Sequence, residues 1–400
     1  MWLMKFNIDK FTPEFQLMLA LLSVDTTAIK MARINKLISE HIDWDFFLQL
    51  VNRHGVYPQI YELLNSLPGE IVPEAVMLTL QKQCHNNAAR AMKNAGELVR
   101  IVRIMEENGI KVIALKGQTL AQRLYGNIAL RTAGDIDLLV AAEELAKAEE
   151  ILVSCGYHEE YAEQRMTARR RNIHFETMHH SNFLHDERQI HVELHWRLCY
   201  SGLELPLSEA AKLQEVKLTG CAVATLADEP GLLFLALHGS MHSWLRLRWL
   251  YDIVMFMKPN SGIDWERVAV LAEQLGIGTI FRHTLLLANC LFFVPLPANL
   301  SATIKNDRNA WKIANRALLF FMASERKFAK PTYWRKISCS LKNKYYNLSF
   351  RTGWNKVEYL FMHLRPINSD LQLVFFSDRW YFLYYLLRPF TWLRRSVMRQ

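Results

Sequence analysis

Apolar residues recur at helical intervals through the first hundred positions. Glu14–Ser23, Thr27–Ser39, Trp44–His54 and Pro58–Leu64 read as short amphipathic helices. Between Pro73 and Asn108, Leu78, Leu80, Ala88, Ala91, Leu98, Ile101, Val102, Ile104 and Met105 extend one long helical pattern, and Asn108-Gly109 supplies a stop signal. The period then changes. Lys111–Leu115 is a short β-rich apolar run ending at Lys116-Gly117. Gln118–Tyr125 returns to helical spacing, and Asp135–Val140 is a second apolar run opened by Asp-Ile-Asp. Ala142–Cys155 reads as a helix closed by Gly156. Strands are expected around Tyr157, over Ile173–Leu184 and over Ile190–Trp196, the last two joined by a hairpin turn at His185–Arg188. Residues 208–330 are expected to be helical, with Pro230–Asp252 as one amphipathic helix.

This pattern predicts an α+β protein in which a small mixed sheet is flanked by helical regions. The expected divisions are an N-terminal helical region over 1–109, an α/β core over 110–200, a helical substrate-cleft domain over 201–330 and a distinct C-terminal region over 331–400.

Candidate chemistry gathers where strand, glycine turn, helix and acidic strand follow one another. Asp135 and Asp137 are two residues apart, so a strand points both to one face. Carboxylates that close repel unless a cation lies between them, and Mg²⁺ takes one or two protein carboxylates, completing its shell with water and phosphate. Gly117 lets a phosphate approach the backbone N–H groups that open the next helix. Solvated carboxylates at a strand start are the bland alternative. A third acid, Glu193, lies on a strand-like run with His191 and His195 on the same face. Two acids on one strand and one on another suit a two-metal phosphoryl-transfer centre. A zinc site on His191, Glu193 and His195 is disfavoured, because alternate residues i to i+4 span about 13 Å. His180 or His191 could instead orient phosphate. Arg165, Arg169, Arg170 and Arg171 form a basic cluster that reads as a solvated face or a phosphate contact.

Leu115-Lys116-Gly117, Leu124-Tyr125-Gly126, Arg131 and Asp135–Val140 together resemble the bacterial family of uncharacterised nucleotidyltransferases, within the polymerase-β-like superfamily. Val192–Trp196 is similar to that family's later acidic D-L-H-W motif, and His238…His242-Ser243-Trp244…Asp252 to its downstream helix. The resemblance covers about residues 30–330 and implies an enzyme using Mg²⁺ (or Mn²⁺) to move an NMP from an NTP to an acceptor hydroxyl. It implies Asp135, Asp137 and Glu193 as metal ligands, with Glu193 taking the acceptor's proton. Gly117 and Thr119 would hold the triphosphate. Lys116 and Arg131 would contact phosphate or make structural ion pairs, and His195, His238, His242 and Trp244 would line the substrate cleft. Such proteins are often encoded with polysaccharide-biosynthesis genes. Two departures stand out: the family's Gly-Ser or Gly-Gly turn is Gly117-Gln118 here, and its third Asp is Glu193. They leave room for a second reading, a non-catalytic nucleotide-binding or assembly module of a surface-polysaccharide system.

Composition refines the setting. Half the residues are hydrophobic, so a large core can form. No CxxC pair occurs among six cysteines, which read as reduced thiols. No secretory signal and no run of about 18 apolar residues is found, so a cytoplasmic protein is expected, peripheral to the inner membrane at most. Residues 331–400 hold twelve Lys/Arg against three Asp/Glu, an excess equal to the chain's whole net charge of +9, and seventeen aromatic residues. Arginines with interleaved aromatics fit ordinary helix packing, an anionic membrane surface or, least favoured, single-stranded nucleic acid.

Overall fold

The computed structural model describes residues 8–67, 71–160, 167–199, 212–258, 262–324, 333–351, 353–367, 370, 373–374 and 376–398. Arg165 lies outside the described residues, as does the side chain of Arg169. Helices α1 (Pro13–Leu22), α2 (Thr27–Ser39), α3 (Trp44–His54), α4 (Tyr57–Asn65) and α5 (Glu74–Glu107) match the expected segments to within one residue at either end. Their starts are set locally. Thr12 accepts a hydrogen bond from Phe15 N with Pro13 at the first helical position, and Asp43 caps α3 by accepting from Phe46 N.

Strands β1 (Ile113–Ala114), β2 (Asp135–Leu139), β3 (His158–Glu159), β4 (His180–His185), β5 (Ile190–His195), β6 (Leu213–Leu218) and β7 (Cys221–Leu226) form one mixed sheet in the order β3-β4-β5-β2-β1-β7-β6. The α+β expectation holds. The chain divides into two compact units, Met1–Leu138 with Pro206–Lys327 and Leu139–Leu205 with Phe328–Gln400.

In the first unit, β1 pairs in parallel with β7 at Ala114 and Thr225, and the Thr225 hydroxyl donates to Ala114 O at 2.6 Å. The β6–β7 hairpin replaces helix expected after residue 208. Val216, Leu218, Val223 and Leu226 turn inward, and Thr219 and Gly220 take positive φ of 48° and 84° at a two-residue turn. Helix α6 (Gln118–Tyr125) follows β1. The Pro230–Asp252 segment is also not one helix. α9 (Asp228–Met241) ends before Ser243 and Trp244, whose φ values of 53° and 54° break the spiral, and α10 (Leu247–Met257) starts afresh. Trp244 causes this break to close tightly: its ring covers Gly239, where an added Cβ would lie 2.2 Å from Cζ3. Helices α11 (Trp265–Gln274), α12 (Gly278–Phe292), α13 (Ser301–Asn306) and α14 (Arg308–Ser324) complete this unit around Phe281, Leu285, Leu287 and Phe321.

In the second unit, helix α7 (Leu145–Ser154) covers the expected Ala142–Cys155 after one turn of 3₁₀ helix. The Ile173–Leu184 segment is not all strand. α8 (Ala168–Thr177) occupies its first part, because Thr167 caps a helix-favouring Ala-Arg-Arg-Arg run by accepting from Arg170 N. Strand β4 begins only at His180, and the β4–β5 hairpin then follows the expected turn, pairing His180 with His195 and Asn182 with Glu193. Helices α15 (Tyr333–Ser349), α16 (Gly353–Leu364) and α17 (Leu383–Met398) end the chain.

Candidate active site

The first unit presents the acidic strand. Ile136 and Leu138 are buried, which turns Asp135 and Asp137 to the opposite face of β2. Asp135 is half-buried, whereas Asp137 is 2% exposed, and Lys116 Nζ lies 2.7 Å from its Oδ1. Leu115 N donates to Asp137 O at 3.1 Å, so β1 carries Lys116 directly to that carboxylate. The chain then turns at Gly117, whose φ of 73° and ψ of −127° belong to backbone space open essentially to glycine. Gly117 caps α6, whose first N–H groups have no intrahelical acceptor. Phosphate chemistry needs this combination: a lysine, a glycine turn and a helix start beside acids.

Thr119 is fully buried. Its hydroxyl donates to Lys116 O at 3.1 Å and so fastens the turn. It also lines a small cavity beneath α6 with Leu115, Leu120, Leu235 and Phe256.

The loop between α6 and β2 is fixed by polar groups that sequence patterning did not reveal. Asn87 donates to Ala129 O at 2.7 Å, Gln59 donates to Leu130 O, and Thr132 donates to Gly55 O at 3.0 Å. Arg131 is structurally committed. Its guanidinium meets Asp252 through Nε and Nη2 at 3.0 Å, and both side chains are buried. Tyr125 donates to the same carboxylate at 2.9 Å. Burial alone would lower the Arg131 pKa, but Asp252 and Tyr125 hold it above its ordinary value. Arg248 is the second guanidinium of this region. It donates to Thr132 O and, at 2.8 Å, to Thr132 Oγ1, and it senses the charge of Asp135. Burial, then Arg131, lower its pKa to about 10, which leaves it charged at neutral pH.

Trp244 is corrected from cleft residue to core residue. It is fully buried, with Nε1 3.4 Å from His283 Nε2. His238 and His242 are brought together, their rings 4.6 Å apart, and both lie against Trp249 at 5.3 and 5.2 Å. His242 is exposed and His238 partly so.

The second unit carries Glu193 and His195 on β5. Glu193 is half-buried, and its Oε2 lies 3.4 Å from His195 Nε2. His191, on the same strand face, is exposed and lies instead 3.4 Å from Glu160 Oε1. The cross-strand register brings His180 to His195, ring centroids 4.9 Å apart, and His180 Nδ1 lies 3.1 Å from His179 Nε2. His179, His180 and His195 thus offer ring nitrogens within 4.8 Å of one another, a donor set suited to a borderline-soft ion such as Zn²⁺. This trio, not His191 with Glu193 and His195, is the histidine grouping the hairpin makes.

Asp135 and Asp137 supply the hard oxygen donors that Mg²⁺ or Mn²⁺ prefers, on one strand face and with a lysine beside the buried member. Residues 40–293 match the sequence model of a family described as uncharacterised nucleotidyltransferase. The chain belongs to this family. Family membership supports nucleotidyl transfer as the general activity, and the matched span contains the glycine turn, the acidic strand and β5. No curated protein and no solved structure matches the chain. Among the described residues, no helix is long and apolar enough to cross a membrane.

Proposed function

We propose that this protein is a metal-dependent nucleotidyltransferase that moves an NMP from an NTP to an acceptor hydroxyl and releases pyrophosphate. The observation that carries the reading is the Gly117 turn joined through Lys116 to Asp137 on the acidic strand, inside the family span. Asp135 and Asp137 would hold Mg²⁺ or Mn²⁺, and Glu193 on β5 would complete the centre. When bound, such ions neutralise charge developing on the transferring phosphoryl group and orient it for in-line attack.

The chain's own groups divide the remaining work. Glu193 takes the acceptor's proton. The α6 N–H groups at Gly117 receive phosphate oxygens, and Lys116 exchanges part of its contact with Asp137 for the triphosphate. Arg131 keeps Asp252, so its contribution is to hold the loop that leads into β2. Arg248, held by Thr132, adds positive charge near Asp135. Thr119 serves the turn through Lys116 O. Fixed positive groups of this kind stabilise the transition state without reorganisation.

The test is pyrophosphate release from each NTP with Mg²⁺, together with mass shifts on sugar, protein, tRNA and small-metabolite hydroxyls. Asp135→Ala with Asp137→Ala is expected to lower turnover by at least about 10³-fold. If wild type and variant bind NTP alike and neither releases pyrophosphate, the catalytic reading fails. The protein is then a nucleotide-binding module, which for a surface-polysaccharide system would serve assembly.

A further inference from the structure

Helix α17 is folded inside out. Tyr384, Arg388 and Thr391 form its buried side. Tyr384 donates to Val374 O at 2.8 Å and accepts from Phe376 N at 3.0 Å. Arg388 makes a buried ion pair with Asp370 at 3.0 Å. The opposite side is apolar and faces outward. Phe382, in the turn just before the helix, and Leu386, Phe390 and Leu393 within it recur at intervals of four, four and three, which a 100° helical step gathers within about 80° of arc. They are 54%, 65%, 72% and 37% exposed, with Tyr385 alongside at 45%. Globular helices show the reverse arrangement, an apolar stripe inward and polar groups outward. The buried hydrogen bonds fix the rotation of the helix about its axis, so the apolar side cannot simply roll inward.

Neighbouring helices of the same unit also carry exposed apolar residues. Helix α16 exposes Leu360, Phe361 and Leu364, and α15 exposes Leu341 and Tyr345. Exposed Arg379 and Arg394 flank the α17 stripe, and Lys342 and Arg365 are also at the surface. Lys344 lies over the Trp392 ring at 4.4 Å.

We propose that α17 lies flat in the headgroup layer of an anionic membrane, its Phe382–Leu393 stripe among the acyl chains and its arginines on lipid phosphates. Three observations select this occupant. The outward residues include aliphatic Leu386, Leu393, Leu360 and Leu364, which have no π face to stack on nucleic acid bases. The excess of +9 over residues 331–400 opposes pairing with a second like-charged copy and favours an anionic surface. The helix has sixteen residues and Pro389 inside it, so it is too short to span and suited to lying in the interface plane. The inference is independent of the nucleotidyltransferase reading, since it uses none of Lys116, Asp135, Asp137 or Glu193.

The experiment is flotation of the full chain with liposomes of phosphatidylcholine alone and of phosphatidylcholine with 30% phosphatidylglycerol, at low and high salt. The wild type is expected to float with the anionic vesicles and to lose binding as salt rises. Leu386→Asp with Phe390→Asp should lower vesicle partitioning by at least about tenfold while circular dichroism and pyrophosphate release stay unchanged. Both positions are exposed, so the variant folds. Equal flotation by wild type and variant, or none with anionic vesicles, overturns the proposal. So does light scattering that finds a wild-type dimer made monomeric by the variant, or an RNA affinity that the variant removes in place of vesicle binding. Failure of pyrophosphate release in wild type would strike the enzymatic reading alone.

Discussion

Two buried arginine–aspartate pairs sit in helical surroundings of opposite character. Arg131–Asp252 anchors on α10, among Leu250, Ile253 and Val254, all fully buried. Arg388–Asp370 anchors α17, whose Leu386 and Phe390 point to the outside. Burying charge is unfavourable in both places, and each pair survives because its partners and further hydrogen bonds satisfy it. In α10 the pair agrees with the apolar face: charge and hydrocarbon go inward together, and the result positions the loop that delivers Asp135. In α17 the charge goes inward and the hydrocarbon outward. The contrast teaches that a buried ion pair can set a helix's rotation against its hydrophobic pattern, and that such an inversion marks a surface meant for something other than the chain's own core.

The largest effect is expected from breaking the first pair. Asp252→Ala strands the Arg131 guanidinium and the Tyr125 hydroxyl in a buried site. Removing one member of a buried pair typically costs about 3–5 kcal/mol. Urea denaturation should show that loss, and pyrophosphate release should fall with it as the Ala129–Thr132 loop loosens. A loss below about 1 kcal/mol would mean that water reaches the pair and that the inward polarity of α10 is not structural.

A smaller effect separates burial from charge crowding. His283 in the first unit is fully buried, its Nδ1 on Thr279 O at 3.2 Å, and burial lowers its pKa to about 4. His363 in the second unit also falls to about 4, first through burial and then through Lys344, Arg388 and Arg351 around it. A histidine held neutral in the fold but free to protonate when unfolded gives its full stability above the unfolded pKa near 6.5. That stability is lost as pH falls from there toward 4, where the folded ring at last takes up its proton. His283 should therefore account for about 2 kcal/mol of the stability lost between pH 7 and pH 5. His283→Gln should flatten that part of the profile. By NMR titration, added salt should raise the His363 pKa, because it screens the neighbouring cations, and should not raise that of His283, whose one charged neighbour of this kind, Asp307, acts in the opposite direction.

Much of this was legible in the order of residues. Helical periodicity located α1 to α5, and the strand–glycine–helix–acid sequence located Lys116, Gly117, Asp135 and Asp137, because those features depend on local spacing. The β6–β7 hairpin shows in the sequence only as Val216, Leu218 and Val223 alternating around Thr219-Gly220, a short signal that the longer helical periodicity after it outweighs. Arg131 could not be assigned from sequence, because its partner Asp252 is 121 residues away. Trp244 looked like a cleft residue until two positive φ values turned it into the core. His179 and His180 joined His195 only through the register of a hairpin whose turn length fixes it. The inversion of α17 was invisible because its pattern is amphipathic either way round; only the Tyr384 and Arg388 contacts say which side faces in.

The smallest effect, expected at Leu386, is the sharpest test of the comparison when set against a large one from the same substitution at Leu250. Leu250→Ala on α10 removes a side chain with no exposed surface and should cost about 2–5 kcal/mol, the range for a leucine deleted from a packed core. Leu386→Ala on α17 removes one that is 65% exposed, and should change the urea midpoint by less than about 0.5 kcal/mol. Adding anionic vesicles should reverse the ranking of these positions in a partitioning assay, where only Leu386→Ala weakens the wild type. A loss at Leu386 in free solution comparable to that at Leu250 would mean that the stripe is already covered by protein. The two helices would then obey one rule, and the outward hydrocarbon of α17 would be an interface between chains.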